Sequence, residues 1–312
     1  MRVFVAGGSG VIGRFLVPAL VEAGHEVTVM TRRPDRAGTL QAMGASVAVA
    51  DVFDPSALDP AVVEAEPEVV VHQLTALPAS IDPRKIGVQF AANDRVRVEG
   101  TRNLVAAAVR AGARRIVAQS IAFVYEPTGA AVKVESDPLW TEAPHPFARS
   151  VAAVDTLETA VTTTAGIDGV VLRYGYFYGP GTSYAADGQI ADMVRRRRFP
   201  VVGRGEGVFS FVHVDDAARA VLCALGTDQP GVYNVVDDEP APVHEWLPAY
   251  AAALGAPAPL RVPALVARAV AGRHGVYLMT GQRGASNAEA RRSLDWRPGR
   301  ASWRSGFDLA PR

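Results

Sequence analysis

The stretch that decides the fold is residues 1–13, which read Met-Arg-Val-Phe-Val-Ala-Gly-Gly-Ser-Gly-Val-Ile-Gly. Residues 2–6 are mostly β-branched or aromatic, a composition typical of a short buried β-strand. A glycine-rich turn follows and leads directly into the apolar periodicity of a helix. Strand, glycine turn and helix in this order predict a dinucleotide-binding loop, where the start of the helix meets a pyrophosphate. The residues expected to contact the dinucleotide here are Gly7, Ser9, Gly10, Val11, Ile12 and Gly13.

The second predicted strand ends about 20 residues beyond the glycine turn, where this type of site selects between NAD and NADP. An acidic side chain at this point would bind the ribose 2′-hydroxyl of NAD. Arg32 and Arg33 stand there instead, and a planar, permanently charged guanidinium suits a 2′-phosphate. The pair predicts NADP(H) rather than NAD(H) as the cofactor; the alternative is two solvated loop arginines.

The composition of the 312 residues is that of a soluble globular protein, with 49% hydrophobic and 21% charged residues. Basic and acidic residues balance at 32 each, so no net charge favours nucleic acid or an anionic membrane as a partner. Cys223 is the single cysteine, which excludes a disulfide framework, and the scattered histidines predict no metal site. The chain opens on the first strand without a signal or membrane-spanning segment, so we expect a cytoplasmic protein.

Strands and helices alternate along the chain, which predicts an α/β fold with a Rossmann-type doubly wound parallel sheet. After the first strand, further strands are predicted at residues 25–30, 46–50, 68–72, 115–120, 168–173 and 231–236. Residues 1–173 and 209–238 are predicted to form the NADP(H)-binding domain. Residues 174–208 and 239–312 are predicted to form a smaller, C-terminal substrate-binding lobe.

Six motifs in this order resemble the extended short-chain dehydrogenase/reductase superfamily, of the NAD-dependent epimerase/dehydratase type. They are the glycines at 7, 10 and 13, Asp51-Val52, Leu74-Thr75-Ala76, residues 100–104, residues 173–181 and residues 210–216. The resemblance implies cofactor contacts at Asp51, Val52, Leu74, Thr75 and Ala76, and also at Gln119 and Tyr174.

The catalytic residues of that superfamily are a serine or threonine after the fifth strand and a Tyr-x-x-x-Lys pair on the next helix. The tyrosine exchanges a proton with the substrate while a hydride moves, and the lysine lowers the pKa of the tyrosine. Here Phe147 stands at the tyrosine position and Val151 at the lysine position. The only lysines, Lys85 and Lys133, lie elsewhere in the sequence. Ser120 could fill the role of the serine, although the motif that follows it is offset by one residue.

Other residues could move a proton or contact the substrate. The candidate catalytic residues are Ser120, Tyr125 and His145, because a hydroxyl can donate a proton and histidine is the most frequent general acid. The superfamily has an asparagine where Tyr176 stands and a phosphate-binding arginine where Phe209 stands. These changes favour an aromatic pocket over a sugar-nucleotide site. The expected substrate-binding residues are Tyr125, Phe147, Tyr176, Phe177 and Phe209.

The sequence favours an NADP(H)-dependent oxidoreductase that acts on a small, largely apolar or aromatic carbonyl or enone compound. Hydride transfer depends mainly on positioning the substrate against the nicotinamide, so loss of the Tyr-Lys pair need not abolish it. Two alternatives stay open: a non-redox isomerase, dehydratase or cyclase that retains the nucleotide, and an inactive NADP(H) sensor. The expected partner is a small-molecule substrate, and the chain is expected to be a monomer or homodimer.

Overall fold

The computed structural model describes residues 1–78 and 86–307. Its strands are β1 Arg2–Ala6, β2 Glu26–Thr31, β3 Ser46–Val49, β4 Val69–His72, β5 Arg115–Ile121, β6 Val132–Lys133, β7 Asp168–Tyr174, β8 Tyr176–Tyr178, β9 Val201–Val202, β10 Val208–Phe209, β11 Phe211–His213, β12 Gly231–Val235, β13 Ala241–Pro242, β14 Arg261–Val262 and β15 Gly284–Ala285. The predicted strands therefore lie within one or two residues of the observed ones.

The α-helices alternate with these strands and flank them. They are α1 Gly13–Glu22, α2 Ala37–Gln41, α3 Pro55–Glu64, α4 Ile86–Gln89, α5 Ala91–Arg95, α6 Thr101–Arg110, α7 Phe147–Thr163, α8 Gln189–Arg195, α9 Val214–Leu225, α10 Val243–Ala253, α11 Ala264–Thr280, α12 Ala288–Ser293 and α13 Trp303–Gly306. A 3₁₀ turn covers Pro34–Arg36, and a π-helical turn, Val96–Gly100, joins α5 to α6.

The central sheet has seven strands in the order β3-β2-β1-β4-β5-β7-β12. All six pairings are parallel. One hydrophobic core lies beneath α1, α9 and α12, and a second lies on the opposite face, beneath α3, α6 and α7. Helices on both faces bury the sheet, which explains why β4 is apolar along its whole length. The predicted Rossmann-type α/β fold is confirmed.

A third core is aromatic and lies outside the central sheet, among α8, α10 and the short strand pairs that follow β7. Its largest fully buried side chains include Trp246, Trp303 and Phe211. This core holds together parts of residues 174–208 and 239–307, the regions predicted to form the C-terminal lobe. The domain boundaries themselves stay predictions.

Helix α11 is broken in its middle. Gly272 has φ 69° and ψ −175°, a backbone conformation that favours glycine. The break lets residues 273–280 take a direction of their own. His274 and Tyr277 of this second part lie against Phe147, the first residue of α7.

Candidate active site

The glycine loop lies at the point where the strand order of the sheet reverses, between β1 and β4. Gly7 has φ +102°, and a Cβ built on it would lie 2.5 Å from the backbone carbon and oxygen of Gln73. Gln73 follows β4 and donates its N–H to the Ala6 carbonyl at 2.7 Å. In open parallel sheets, ligands bind in the crevice at this reversal. The loop therefore lies where a dinucleotide is expected.

Gly13 allows close packing of α1 on the turn, and Gly10 leaves the backbone open to a ligand. A Cβ on Gly13 would lie 2.2 Å from the Gly8 carbonyl oxygen, so α1 can start this close to the turn only with glycine. A Cβ on Gly10 would meet only the Gly7 carbonyl oxygen, at 3.3 Å. Gly10 is exposed, and no side chain caps the start of α1. Such an open helix N-terminus beside a bare backbone fits a pyrophosphate.

Arg32 and Arg33 directly follow β2, beside the glycine loop. A Cβ on Gly8 would lie 2.6 Å from Val29 of β2, which shows how closely the loop approaches this strand. Both arginines are exposed, and within the described residues neither is paired with a carboxylate. The Arg33 backbone N–H donates to the Thr31 hydroxyl at 3.1 Å, which fixes the turn. Both guanidinium groups are therefore available to an anionic ligand.

Other expected cofactor contacts line the same edge of the sheet. Asp51 and Val52 follow β3, where the Val52 carbonyl accepts a hydrogen bond from Asn103 at 2.9 Å. The Leu74 carbonyl accepts one from Gln119 Nε2 at 3.1 Å. These contacts shape the segment Leu74, Thr75 and Ala76 that runs away from β4. The structure thus brings these residues to one edge of the sheet.

Tyr174 is an exception among the expected cofactor contacts. Its ring is fully buried in the core beneath α9, and its hydroxyl donates to the Ala217 carbonyl at 3.2 Å. Phe177 packs against the same core, with its ring 5.3 Å from that of Tyr174. Because side chains alternate along a strand, the next-door Tyr176 faces the aromatic lobe instead. Both rings thus pack in or against this core, and the ligand contacts expected of Tyr174 and Phe177 stay predictions.

Ser120 and Tyr125 belong to a buried polar network. The Ser120 hydroxyl donates to Glu158 Oε1 at 2.6 Å. Arg173 forms a two-pronged ion pair with Glu158, through Nε at 2.9 Å and Nη2 at 2.5 Å. Arg173 Nη1 also donates to the Tyr125 hydroxyl at 2.8 Å, and that hydroxyl donates to Asn234 at 2.7 Å. Both hydroxyls already hold protein partners, which argues against their predicted catalytic role.

The pKa values in the network agree with a structural role. Burial raises the pKa of Tyr125 to about 12, although Arg173 opposes the shift. Burial by itself lowers the pKa of Arg173, but hydrogen bonds and charge from Glu158 raise it above its ordinary value. Arg173 and Glu158 are only 6% and 7% exposed. The network is thus an internal, charge-compensated brace joining β5, α7 and β7.

The residue after Ser120 belongs to an apolar set and not to the polar network. Ser120 bonds Glu158 of α7. Its neighbour Ile121 packs in one apolar cluster with Phe147, Val151 and Val154, which come before Glu158 on the same helix. We name this set the apolar cluster. The one-residue offset noted in the sequence thus places isoleucine next to the two positions at which the superfamily has tyrosine and lysine.

Neither His145 nor Lys133 lies in the apolar cluster, so neither supplies it with a proton donor. His145 is exposed, in the loop before α7, and no described residue hydrogen-bonds its ring. Lys133 is buried and donates to the Thr128 carbonyl at 2.7 Å. Lys85 lies outside the described residues. Of the three predicted catalytic residues, none lies in the apolar cluster.

Three aromatic side chains that the sequence did not single out surround Phe147. The Phe147 ring lies 4.3 Å from His274 and 6.3 Å from Trp140, and Trp140 lies 4.4 Å from Tyr277. We name Trp140, Phe147, His274 and Tyr277 the aromatic wall. His274 and Tyr277 come from α11 beyond the break at Gly272, one helical turn apart. Their i, i+3 spacing was a weak signal, because their partners are over 120 residues away in the sequence.

The aromatic wall is held near a second stack of rings. Tyr176 lies 4.5 Å from Phe123 and 4.4 Å from Phe209, centroid to centroid. The Tyr176 hydroxyl donates to Gln282 Oε1 at 2.7 Å. Phe209 is buried within the stack. Phe147 thus stands in the aromatic wall and Tyr176 and Phe209 stand in the second stack, whereas Tyr125 lies in the polar network; their contacts with a substrate stay predictions.

Burial keeps the titratable members of the wall uncharged at neutral pH. It lowers the pKa of His274 to about 4. It also raises the pKa of Tyr277 above its ordinary value, against the opposing charge of Arg283. Across residues 1–78 and 86–307 no group of three or more potential metal ligands is found. Nor does any helix in these ranges have the length and apolar character needed to cross a bilayer.

Comparisons with known proteins identify the family. Residues 3–235 match the model of the NAD dependent epimerase/dehydratase family. The chain is 48% identical over 308 residues to a 3-diazoavenalumate denitrifying reductase from Streptomyces sp., covering 98% of this chain and 99% of that one.

Solved structures show the same fold. A Thermus thermophilus UDP-glucose 4-epimerase in complex with NAD has a TM-score of 0.73 at 25% identity, with 99% of this chain and 97% of that one covered. A human epimerase family protein with NADPH has a TM-score of 0.73 at 22% identity, covering 99% and 98%. The chain therefore belongs to the NAD dependent epimerase/dehydratase family, and it is an NAD(P)-dependent oxidoreductase with a small-molecule substrate.

Proposed function

We propose that this enzyme reduces an aromatic diazo compound with NADPH and releases its nitrogen as N₂. The observation that carries the proposal is the apolar cluster: Ile121, Phe147 and Val151 occupy the place where the family resemblance leads us to expect the catalytic serine, tyrosine and lysine. None of these three side chains can exchange a proton with a substrate. A site of this composition is suited to a reduction that needs a hydride but no acid from the protein.

Reduction of a diazonium ion and reduction of a carbonyl differ in whether they consume a proton. Reduction of a carbonyl adds a hydride to carbon and a proton to oxygen, so it gains from a positioned acid. In the net reduction of an aryl diazonium ion, the C–N bond breaks, N₂ leaves and a C–H bond forms. The hydride supplies both electrons and the hydrogen, and charge balances without an added proton. The 48% identical relative is named a denitrifying reductase of a diazo compound, which supports this choice.

The aromatic wall suits a flat, electron-poor ring. Trp140, Phe147 and Tyr277 offer π-faces, and such faces attract cations when water is excluded. Neutral His274 adds no repelling charge. The side chains of the apolar cluster are themselves uncharged. A diazonium ion would therefore bind by stacking and cation–π attraction, without a charged partner.

The cofactor is proposed to lie along the glycine loop, which fits it by the open backbone at Gly10 and the uncapped start of α1. Asp51, Val52, Gln119 and the segment 74–76 would hold its remaining parts, and Arg32 and Arg33 would bind a 2′-phosphate. When bound, the reduced nicotinamide supplies the hydride. The chain's own contribution is to orient the substrate ring, exclude water and withhold protons.

The test is to follow NADPH absorbance with benzenediazonium and hydroxybenzenediazonium ions, beside a panel of aromatic ketones, quinones and enones. An enzyme-free reaction corrects for direct reduction by NADPH. We expect enzyme-dependent consumption with a diazonium ion, with one N₂ and one arene formed per NADPH. Faster turnover of a ketone or enone than of every diazonium ion would refute the proposal and restore the carbonyl substrate expected from the sequence.

A further inference from the structure

Tyr277 differs from most tyrosines of this protein in the state of its hydroxyl. The hydroxyls of five others, Tyr125, Tyr174, Tyr176, Tyr233 and Tyr250, donate to protein acceptors at 2.6–3.2 Å. The Tyr277 hydroxyl is buried and has no hydrogen-bond partner among the described residues. A buried hydroxyl without a partner is costly and needs a reason. Tyr178 shares this state, but its ring lies in the C-terminal core, against Phe211 and Phe307.

The position of Tyr277 supplies a reason. Its ring lies 4.4 Å from Trp140 and 6.4 Å from Phe147, so it borders the apolar cluster at which the reaction is proposed to occur. The break at Gly272 brings this part of α11 to the wall. The other polar atoms of the wall are the Trp140 indole N–H and the nitrogens of the neutral His274 imidazole, and only the Tyr277 hydroxyl is fully buried without a partner among the described residues. The Tyr277 hydroxyl is therefore the polar group of the wall that is best placed to recognise a substituent.

The direction of its hydrogen bond follows from its protonation. Burial raises the pKa of Tyr277, so the phenol stays protonated at neutral pH. It can then act as a donor, and it is a poor base. A donor in an apolar surrounding selects strongly for an acceptor atom, because the site leaves it unpaired with an analogue that lacks one.

We propose that Tyr277 is a specificity-determining residue whose hydroxyl donates a hydrogen bond to an oxygen substituent on the substrate ring. The inference rests on the proposed function for the identity of the reactive group. It adds that the preferred substrate class is a hydroxylated aromatic diazo compound. A ring hydroxyl of such a compound ionises readily, because the diazonium group withdraws charge, and an ionised oxygen is a strong acceptor.

The experiment compares Tyr277→Phe with the matched control Tyr178→Phe, which deletes the other unpartnered buried hydroxyl. Each is assayed with benzenediazonium and with the three ring isomers of hydroxybenzenediazonium. For Tyr277→Phe we expect kcat/KM to fall about 10-fold or more with the best hydroxylated isomer and to change less than about 2-fold with benzenediazonium. Tyr178→Phe should leave the ratio of the two substrates unchanged. Equal losses on both substrates, or no loss on either, would overturn the inference.

A binding measurement keeps this result separate from the proposed reaction. Saturation-transfer NMR compares phenol and toluene on the wild type and on Tyr277→Phe. We expect Tyr277→Phe to weaken phenol binding about 10-fold while toluene is unaffected. If the wild type reduces no diazonium ion but shows this pattern, the reaction is refuted and the subsite stands. If phenol binds no better than toluene to the wild type, the subsite is refuted whatever the reaction.

Discussion

Replacing Glu158 by glutamine should destabilise the protein strongly without touching the site of reaction. The substitution keeps the shape of the side chain but removes the charge that pairs with Arg173, whose side chain is 6% exposed. Removing one partner of a buried ion pair costs roughly 3–5 kcal/mol, because the other charge is left uncompensated. That is a large share of the roughly 5–15 kcal/mol by which folded domains are stable. We therefore expect a large fall in the urea midpoint of unfolding.

The matched control is Glu99→Gln, which breaks an exposed pair. Arg95 Nε lies 2.7 Å from Glu99 Oε2, one helical turn away, and the two side chains are 56% and 32% exposed. Exposed helical pairs contribute little to stability, so Glu99→Gln should leave the urea midpoint nearly unchanged. Equal losses in the two variants would refute the view that the Glu158 network braces the fold.

Ser120→Ala completes this test because it distinguishes a structural from a catalytic serine. The Ser120 hydroxyl donates to the charged Glu158, and hydrogen bonds to charged groups contribute about 1.5–3 kcal/mol. We expect a stability loss of this order and an unchanged kcat in the folded variant. A kcat reduced 10-fold or more at unchanged stability would contradict the structure and return Ser120 to the catalytic role predicted from the sequence.

Three further predictions concern the cofactor, the reaction and acid stability. The double variant Arg32→Ser, Arg33→Ser should lower the ratio of kcat/KM for NADPH to that for NADH by about 10-fold or more, since charge-assisted contacts to a 2′-phosphate are lost; Arg36→Ser is the neighbouring control, and a wild type that prefers NADH would contradict the assignment. The kcat of the diazonium reaction should stay flat from about pH 6 to 9, because the pKa of His274 is lowered to about 4 and that of Tyr277 is raised; a bell-shaped profile would show that a protein acid takes part. Because the folded-state pKa of His274 lies below its unfolded value of 6.5, the unfolded chain binds more protons between these values, and this group's stabilising contribution is lost as the pH falls from about 6.5 to 4. His274→Phe should therefore lose less unfolding free energy than the wild type between pH 7 and 5, by at most about 2 kcal/mol; equal losses in urea titrations would refute the shift.

Local sequence patterns predicted the fold well because parallel strands buried on both faces are continuous apolar runs. Residues 2–6 show this, since the predicted and observed first strands coincide. The surroundings of Ser120 were harder to predict, because its partner Glu158 lies 38 residues further along the chain. The partners of Tyr125 could not be inferred, because Asn234 lies 109 residues further along the chain.

The contacts within the aromatic wall also could not be predicted from the sequence. Trp140 and Tyr277 meet only because α11 breaks at Gly272 and the chain folds back on α7. No periodic pattern encodes a contact between such distant segments. The absence of the catalytic tyrosine and lysine, by contrast, could be predicted from the sequence. The motif requires a particular residue type at each position, and Phe147 and Val151 do not match it.

The apolar cluster of Ile121, Phe147, Val151 and Val154 has a consequence for substrate selectivity in a cell that contains many ketones and nucleotide sugars. An enzyme of this fold that kept its acid would reduce or oxidise any such compound that reached its cofactor. On the proposed function, an alkoxide formed beside these side chains would find no acid at the three family positions, so return of the hydride to the cofactor would be favoured. Only a compound that departs irreversibly after taking the hydride, as one that releases a gas does, would leave as product. On the proposed function, the absence of the family's acid therefore restricts the substrates, because carbonyl compounds would not be reduced efficiently.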